Sequence, residues 1–142
     1  MKRLLILSFL FALVIPALSQ QVTPETLIKR QKRKGLTVKE WNTVSGSKQA
    51  FLDHVTTYDS LGRKIEEIEY ASYGQKSRVV SEYVDPLDPA SKVSREIEYN
   101  DRDKVARIKK YEYNEDGSKK RQYNYYPNGK LESVKEYELI FR

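Results

Sequence analysis

The sequence predicts an all-β protein: an antiparallel meander of about eight strands, forming a twisted open sheet or a partly closed barrel. Two observations lead to this fold class. Segments 59–63, 114–118 and 126–130 are rich in Asn, Asp, Gly and Pro, which tight turns favour. The runs between such segments have strand length and are rich in Tyr, Ile, Val, Glu and Lys. Strands joined by links this short pair in the antiparallel sense, because a parallel connection needs a dozen or more residues.

A tyrosine repeat sets the period of the predicted sheet. All 11 tyrosines lie after residue 57, and several lie four residues before a glycine or, once, an aspartate. These pairs are Tyr58 and Gly62, Tyr70 and Gly74, Tyr99 and Asp103, Tyr113 and Gly117, and Tyr125 and Gly129. Up to Tyr137, successive repeat tyrosines are 12 to 14 residues apart, except for one interval of 29 that holds two units. A short fixed period is typical of stacked copies of one structural unit.

The predicted elements follow from these signals. Thr23 is suited to cap a short helix over residues 24–32 with Pro24 in its first turn. The predicted strands are 36–44, 50–58, 64–70, 76–84, 92–99, 105–113, 119–125 and 131–141. Residues 85–89 form a longer loop, because its prolines cannot lie in a central strand. Charged residues make up 32% of the chain, so we expect tyrosine to do much of the packing, on one Tyr-rich face.

The N-terminus has the three parts of a secretory signal peptide. Lys2 and Arg3 precede an apolar run of about twelve residues, and the small residues Ala17 and Ser19 follow. The run is too short for a membrane-spanning helix, which needs roughly 20 residues. We therefore predict cleavage between Ser19 and Gln20 and a secreted or periplasmic protein with no transmembrane segment after signal removal. The predicted division is a signal peptide at 1–19, a basic segment at 20–35 and a β-repeat domain at 36–142.

Most of the excess positive charge lies in one short run. The formal net charge is +6, and loss of Lys2 and Arg3 with the signal peptide would lower it to +4. Five of the six residues from 29 to 34 are basic: Lys29, Arg30, Lys32, Arg33 and Lys34. The run is predicted to be either a solvated tether or the contact for an anionic partner, and no nucleic acid is expected. With no cysteine in the chain, no disulfide stabilises the fold.

Neither a catalytic centre nor a metal site can be identified. His54 is the only histidine and lacks a recognisable catalytic partner. Residues 100–103, and Asp85 with Asp88, fit ordinary turn chemistry better than a calcium loop. The candidate acids for a glycosidase-like pair are interleaved with Lys and Arg, which favours a solvated face; they are Glu66, Glu67, Glu69, Glu96 and Glu98. The prediction is a protein that is not an enzyme, without catalytic residues, metal or cofactor.

The repeat tyrosines are the candidate binding residues. Rows of tyrosine on a sheet can stack on sugars or bases, and their regular period also fits simple packing of the sheet. The set is Tyr58, Tyr70, Tyr99, Tyr113, Tyr125 and Tyr137.

The repeat motif, Tyr-x-x-x-Gly followed by a basic and an apolar residue, resembles two known families. Residues 58–63 resemble the YD repeat of bacterial Rhs and wall-associated proteins, and residues 125–131 are similar to the MORN-variant repeat of YwqK-type antitoxin proteins. A mature chain starting at Gln20 is similar to exported proteins of the Bacteroidota. The likeness covers residues 58–137, although Asp103 replaces a glycine and the chain is much shorter than an Rhs shell. The resemblance implies a β-sheet scaffold or binding module whose repeats carry no catalytic residues.

Three functions remain as hypotheses. The first is an exported, non-catalytic β-repeat module that binds a protein or polysaccharide of the cell envelope, or has a structural role. The alternative is an immunity or antitoxin-like protein that neutralises a toxin, which follows from the resemblance alone. The third is a hydrolase using sheet carboxylates, which would require a deep pocket with convergent acids.

Overall fold

One antiparallel sheet of eight strands dominates the computed structural model, which describes residues 21–142. The strands are β1 (Thr37–Asn42), β2 (Phe51–Tyr58), β3 (Lys64–Ala71), β4 (Gly74–Tyr83), β5 (Val93–Tyr99), β6 (Val105–Tyr113), β7 (Lys119–Tyr125) and β8 (Leu131–Glu136). Spatial order follows chain order, and β1 and β8 form the two edges of an open sheet. The all-β meander is confirmed, and the sheet is open rather than a closed barrel. The predicted signal peptide and its cleavage site lie outside the described residues.

One helix, α1 (Pro24–Gln31), precedes the sheet. Its start follows the predicted chemistry, because the Thr23 hydroxyl accepts a hydrogen bond from the Thr26 N–H at 3.3 Å and Pro24 occupies the first turn. The helix ends one residue before the predicted boundary. No helix in the described part of the chain has the length and apolar character needed to cross a bilayer.

The last strand is shorter than predicted, since β8 ends at Glu136 and not at residue 141. The Tyr137 N–H still donates to the Lys120 carbonyl at 3.1 Å. Residues after Tyr137 cannot continue this pairing, because the neighbouring strand β7 begins at Lys119 and the residues before Lys119 belong to the turn at 114–118. Residues after Tyr137 are therefore exposed, and Phe141 is 87% exposed.

Four of the seven hairpins share one turn. In the first, the Asp59 N–H donates to the Arg63 carbonyl at 2.9 Å and the Gly62 N–H donates to the Asp59 carbonyl at 3.0 Å. The turns at 100–104, 114–118 and 126–130 repeat both bonds. The fourth residue is left-handed, with φ +79° at Gly62 and φ +58° at Asp103, the aspartate predicted to occupy the glycine position. Aspartate and asparagine tolerate this conformation better than other side chains.

The turn after Tyr70 is different. Ala71 pairs directly with Gly74, so Ser72 and Tyr73 form a two-residue turn. Gly74 thus begins a strand instead of completing a turn. The Tyr-x-x-x-Gly spacing at this position does not mark the same structural unit as in the other four pairs.

Every hairpin also shifts register at one aromatic residue near the end of its first strand. Beside Tyr58, for example, Thr57 pairs with Glu66 and Tyr58 pairs with Lys64, so that Ile65 is an extra residue. The seven aromatic residues are Trp41, Tyr58, Tyr70, Tyr83, Tyr99, Tyr113 and Tyr125. An extra residue of this kind is a β-bulge, which bends the strand and increases its twist.

The aromatic residues alternate between the two faces of the sheet, which corrects the expectation of a single Tyr-rich face. We call the face that carries His54 and Thr56 the front, and the end of the sheet near α1 the helix end. Register places three aromatic residues on the front face at the helix end: Tyr58, Tyr83 and Tyr113. The back face at the other end carries Trp41, Tyr70, Tyr99 and Tyr125. Each bulge resets the side-chain alternation, so the next strand presents its aromatic residue on the opposite face.

The sheet is a single layer without a conventional core. Among residues 21–142 no hydrophobic side chain is buried; the five buried residues are Thr56, Gly62, Arg63, Ser81 and Ser91. A sheet covers apolar surface only when another layer packs on it, and here only α1 and the loop between β4 and β5 do so, at one end. Three of the buried residues, Gly62, Arg63 and Ser91, lie at the contact of α1, this loop and the sheet.

Candidate functional site

Helix α1 is seated against the loop that joins β4 to β5. The Arg30 guanidinium donates from Nη1 to the carbonyls of Pro89 and Ser91, at 2.8 and 2.7 Å. The Val22 N–H donates to the Ala90 carbonyl at 2.6 Å. On the other side, Gly62 lies so close to the Arg30 carbonyl that a Cβ at this position would be 1.7 Å from it. Part of the basic segment is thus held on the sheet by specific contacts.

The buried Arg63 side chain forms hydrogen bonds to the same loop. Only 6% of this residue is exposed, and its Nε donates to the Asp59 carboxylate at 2.9 Å. Its two terminal nitrogens donate to three loop carbonyls, those of Asp85, Pro86 and Asp88, at 2.8 to 3.1 Å. Because a guanidinium presents five N–H groups in a fixed plane, one side chain can hold this whole turn.

Tyr83 lies between two arginines. The guanidinium carbons of Arg63 and Arg30 are 4.5 and 5.3 Å from the centre of its ring, within the range of cation–π attraction. Burial raises the pKa of the Tyr83 hydroxyl above its ordinary value. The hydroxyl is therefore protonated at neutral pH, and it donates to the Lys64 carbonyl at 2.7 Å.

A cavity of about 260 Å³ opens between α1, the β2–β3 turn and the front face. We call it the helix–sheet cavity. Four basic side chains and two tyrosines line it, together with Thr26 and Gly62: Lys29, Arg30, Arg33, Lys64, Tyr58 and Tyr83. No carboxylate is among these lining residues, so the cavity has the electrostatic character of an anion site.

The four cations of the cavity differ in their partners. Lys64 donates from Nζ to Glu67 at 2.8 Å, and Arg30 is held by the loop carbonyls. Burial lowers the pKa of the Arg30 guanidinium, which stays charged because an arginine pKa lies far above neutrality. The Arg33 guanidinium is 5.3 Å from the centre of the Tyr58 ring. Within residues 21–142, neither Lys29 nor Arg33 has a carboxylate oxygen within 4.0 Å.

The structure brings together part of the two residue sets predicted from the sequence. Tyr58 meets Lys29, Arg30 and Arg33 at the cavity. The neighbouring cations Lys32 and Lys34 do not line it. The other five predicted tyrosines also lie elsewhere: Tyr113 and Tyr137 further along the sheet at the helix end, and Tyr70, Tyr99 and Tyr125 on the back face.

Sequence reasoning missed Tyr83, Arg63 and Lys64. Tyr83 had a signal, because the interval of 29 residues between Tyr70 and Tyr99 holds two repeat units and a tyrosine belongs near its middle. Arg63 had none, since its acceptors are backbone carbonyls 22 to 25 residues away. Lys64 comes directly after Arg63 and is the first residue of β3.

The other candidates are engaged in local structure. His54 Nε2 lies 2.7 Å from Glu67 Oε1 on the front face. A hydrogen bond from Lys64 lowers the pKa of Glu67, with a smaller contribution from His54, and partial burial only partly opposes this. Glu67 and Glu96 line a second cavity, of about 300 Å³. A glycosidase general acid needs a raised pKa, so Glu67 has the wrong shift for that role.

The candidate calcium ligands act as turn acceptors. Asp85 and Asp88 accept hydrogen bonds from the N–H groups of Leu87 and Ala90, both at 2.9 Å, and Asn100 accepts from Arg102 at 2.9 Å. Within the described residues no group of three His, Cys, Asp or Glu side chains is placed to hold a metal ion.

Asp59 couples the stability of this region to pH. Partial burial would raise the pKa of its carboxyl, but hydrogen bonds from Arg63 and Leu61 outweigh this and hold the pKa below its ordinary value of 3.8. Such a group stabilises the fold above pH 3.8, and the contribution is lost as pH falls through the lower folded-state pKa.

Replacing Asp59 by asparagine is expected to lower the free energy of unfolding at pH 7 by about 1–2 kcal/mol, because the carboxylate partner of buried Arg63 is lost. Asn100 and Asn114 occupy the same turn position, so the turn itself is preserved. Urea unfolding from pH 7 to pH 2.5 should show the difference from wild type shrinking below pH 4. Asp101→Asn, in an exposed turn, is the control, and a difference that stays constant with pH would contradict this account.

Comparison with protein-family models and with curated proteins finds no match to this chain.

Proposed function

We propose that this protein is an exported, non-catalytic β-repeat module that binds a protein or glycan of the cell envelope. The observation that carries the proposal is the helix–sheet cavity, where part of the basic segment meets one repeat tyrosine, Tyr58. The export part rests on the signal-peptide pattern of residues 1–19. The seven bulged hairpins then serve as the scaffold that positions this one site.

Two features support binding rather than catalysis. The acids beside the cavity are engaged by bases, Asp59 by Arg63 at 2.9 Å and Glu67 by Lys64 at 2.8 Å, and no carboxylate of the described residues lines the cavity to act as a catalytic acid or base. The loop over Arg63 and the seat of α1 hold the cavity walls in place, and preformed walls lower the entropic cost of binding.

Affinity capture from the cell envelope tests this function. The protein, produced from its full sequence so that any processing occurs during export, is immobilised and exposed to solubilised envelope. We expect reproducible recovery of one protein or polysaccharide, lost with Tyr58→Ala and retained with Tyr125→Ala. Each tyrosine is the last residue of a strand and precedes a turn of the same type, but only Tyr58 lines the cavity.

Unfolding curves of both variants separate loss of binding from loss of fold. Equal capture by the two variants would mean that the cavity is not the site, and release of a cleaved product from the captured glycan would contradict a non-catalytic role. Recovery of a toxin whose activity the protein blocks would favour the antitoxin-like alternative.

A further inference from the structure

The charges around the helix–sheet cavity are unbalanced in one direction. In the described part of the chain, four cations line it without any carboxylate; only Lys64 among them forms an ion pair, with Glu67. The C-terminal end of α1 carries a partial negative charge that Lys29 and Arg30 partly offset. Arg33 lies beyond that last turn, and Lys64 is on β3. The positive potential of the cavity therefore exceeds what the helix end alone requires.

The cations are also arranged before any ligand arrives. The Arg33 guanidinium stacks on Tyr58, and Arg30 is held both by Tyr83 and by two loop carbonyls. A stacked guanidinium keeps the edge of its fork available for the two oxygens of a carboxylate or phosphate. An arginine fixed in this way loses less side-chain entropy when it binds.

The size of the cavity limits the ligand. Pockets for drug-sized molecules have roughly 300–1,000 Å³, and this one has about 260 Å³. One sugar unit with an acidic substituent fits such a volume. The Tyr58 and Tyr83 rings supply apolar surface, and Thr26 in the lining supplies a neutral hydroxyl that can form hydrogen bonds with the remaining oxygens of a sugar.

We propose that the helix–sheet cavity binds an anionic sugar unit, one that carries a carboxylate or a phosphate. This inference rests on the proposed binding function and names its ligand class. Arg33 and Lys29 bind the acidic group, Arg30 supplies further positive potential, and Tyr58 packs against the ring.

Calorimetric titration with four probes tests the proposal on the full protein. Glucuronic acid carries a carboxylate and glucose 6-phosphate a phosphate, glucose keeps the ring without the charge, and inorganic phosphate keeps a charge without the ring. We expect at least one of the two acidic sugars to bind, and the tighter-binding sugar identifies which acidic group the cavity prefers. The affinity should fall as the salt concentration is raised. Glucose should bind at least about tenfold more weakly, which is the effect of losing a charge-assisted hydrogen bond.

Arg33→Gln and Lys34→Gln form the matched pair of variants. Both remove one positive charge from neighbouring residues of the same run, but only Arg33 lines the cavity. Arg33→Gln should weaken the acidic sugar about tenfold, and Lys34→Gln should leave the affinity within about twofold, because a distant exposed charge is screened.

Several results would overturn the inference. The first is that no probe binds at tens of millimolar, and the second is that glucose binds as tightly as the acidic sugars. The others are that the two variants have equal effects, or that inorganic phosphate binds as tightly as glucose 6-phosphate. Tighter binding of single-stranded DNA or of anionic phospholipid vesicles would do so as well. If envelope capture remains sensitive to Tyr58→Ala while the acidic sugars fail, the ligand class is wrong and the binding function stands. If capture fails while the acidic sugars bind as described, the ligand class stands and the proposed binding to a component of the cell envelope is wrong.

Discussion

Replacing Arg63 by alanine is expected to lower the free energy of unfolding by about 3 kcal/mol. The residue is only 6% exposed. Its removal leaves Asp59 Oδ2 and three loop carbonyls without their side-chain donor, and it takes away the guanidinium that packs on Tyr83. Chemical denaturation monitored by circular dichroism measures the loss.

Arg95→Ala is the matched control for Arg63. Arg95 also forms a two-nitrogen contact with a carboxylate, to Glu82 at 2.7 and 2.8 Å, but its side chain is 36% exposed. We expect a loss below about 1 kcal/mol there, as for other solvent-exposed ion pairs. Similar losses at both positions would contradict the role given to Arg63.

Arg63→Lys covers the case in which the alanine variant does not fold. Lysine keeps the positive charge, but it is a point charge without a planar fork and cannot satisfy four acceptors at once. We expect a loss of about 1–2 kcal/mol. A lysine variant as stable as wild type would show that charge, and not the shape of the guanidinium, holds the loop.

Gly62→Ala is expected to displace α1 from the sheet. An alanine Cβ at this position would lie 1.7 Å from the Arg30 carbonyl oxygen, which is backbone and cannot rotate away. The left-handed φ of +79° adds a cost of about 1 kcal/mol for any residue with a Cβ. Because the two effects add, we expect a loss of at least about 2 kcal/mol, or a stable sheet with α1 detached.

Gly129→Ala separates these two effects. Gly129 lies in the same type of turn with a φ of +85°, and no atom lies within 4 Å of the added Cβ. Gly129→Ala should lower the free energy of unfolding only by the cost of a left-handed backbone at alanine, about 1 kcal/mol.

Trypsin cleavage provides a second readout of the docking of α1, since residues 29–34 contain five cleavage sites.

Cleavage in this run should be at least about tenfold faster in Gly62→Ala than in wild type, which corresponds to about 1.4 kcal/mol of lost docking energy. In Gly129→Ala it should be unchanged. Equal cleavage rates in the two variants would mean that α1 is not seated against Gly62.

These variants also bear on the site. Gly62 lines the helix–sheet cavity, and Arg63 follows it directly. A displaced α1 carries Lys29, Arg30 and Arg33 away from Tyr58. Binding should therefore be lost in Gly62→Ala even when the sheet itself remains folded.

Local chemistry was enough to predict most elements from the sequence. The turn at 59–63 was recognisable because Asp59 and Gly62 suit its first and left-handed positions, and Thr23 with Pro24 located the helix start within one residue. The end of β8 was not predictable, since its residues have strand character and only the length of the neighbouring β7 limits their pairing.

Composition and turn residues by themselves determined that this chain forms a β-meander, because four of the seven turns are encoded within five consecutive residues. Only the tertiary structure decided which tyrosines share a face, since one bulge residue in each hairpin moves the next aromatic residue to the other side. It also decided that part of the basic run forms a cavity wall. Arg30 is bound to carbonyls 59 and 61 residues away, and no pattern along the sequence indicates a contact over that separation.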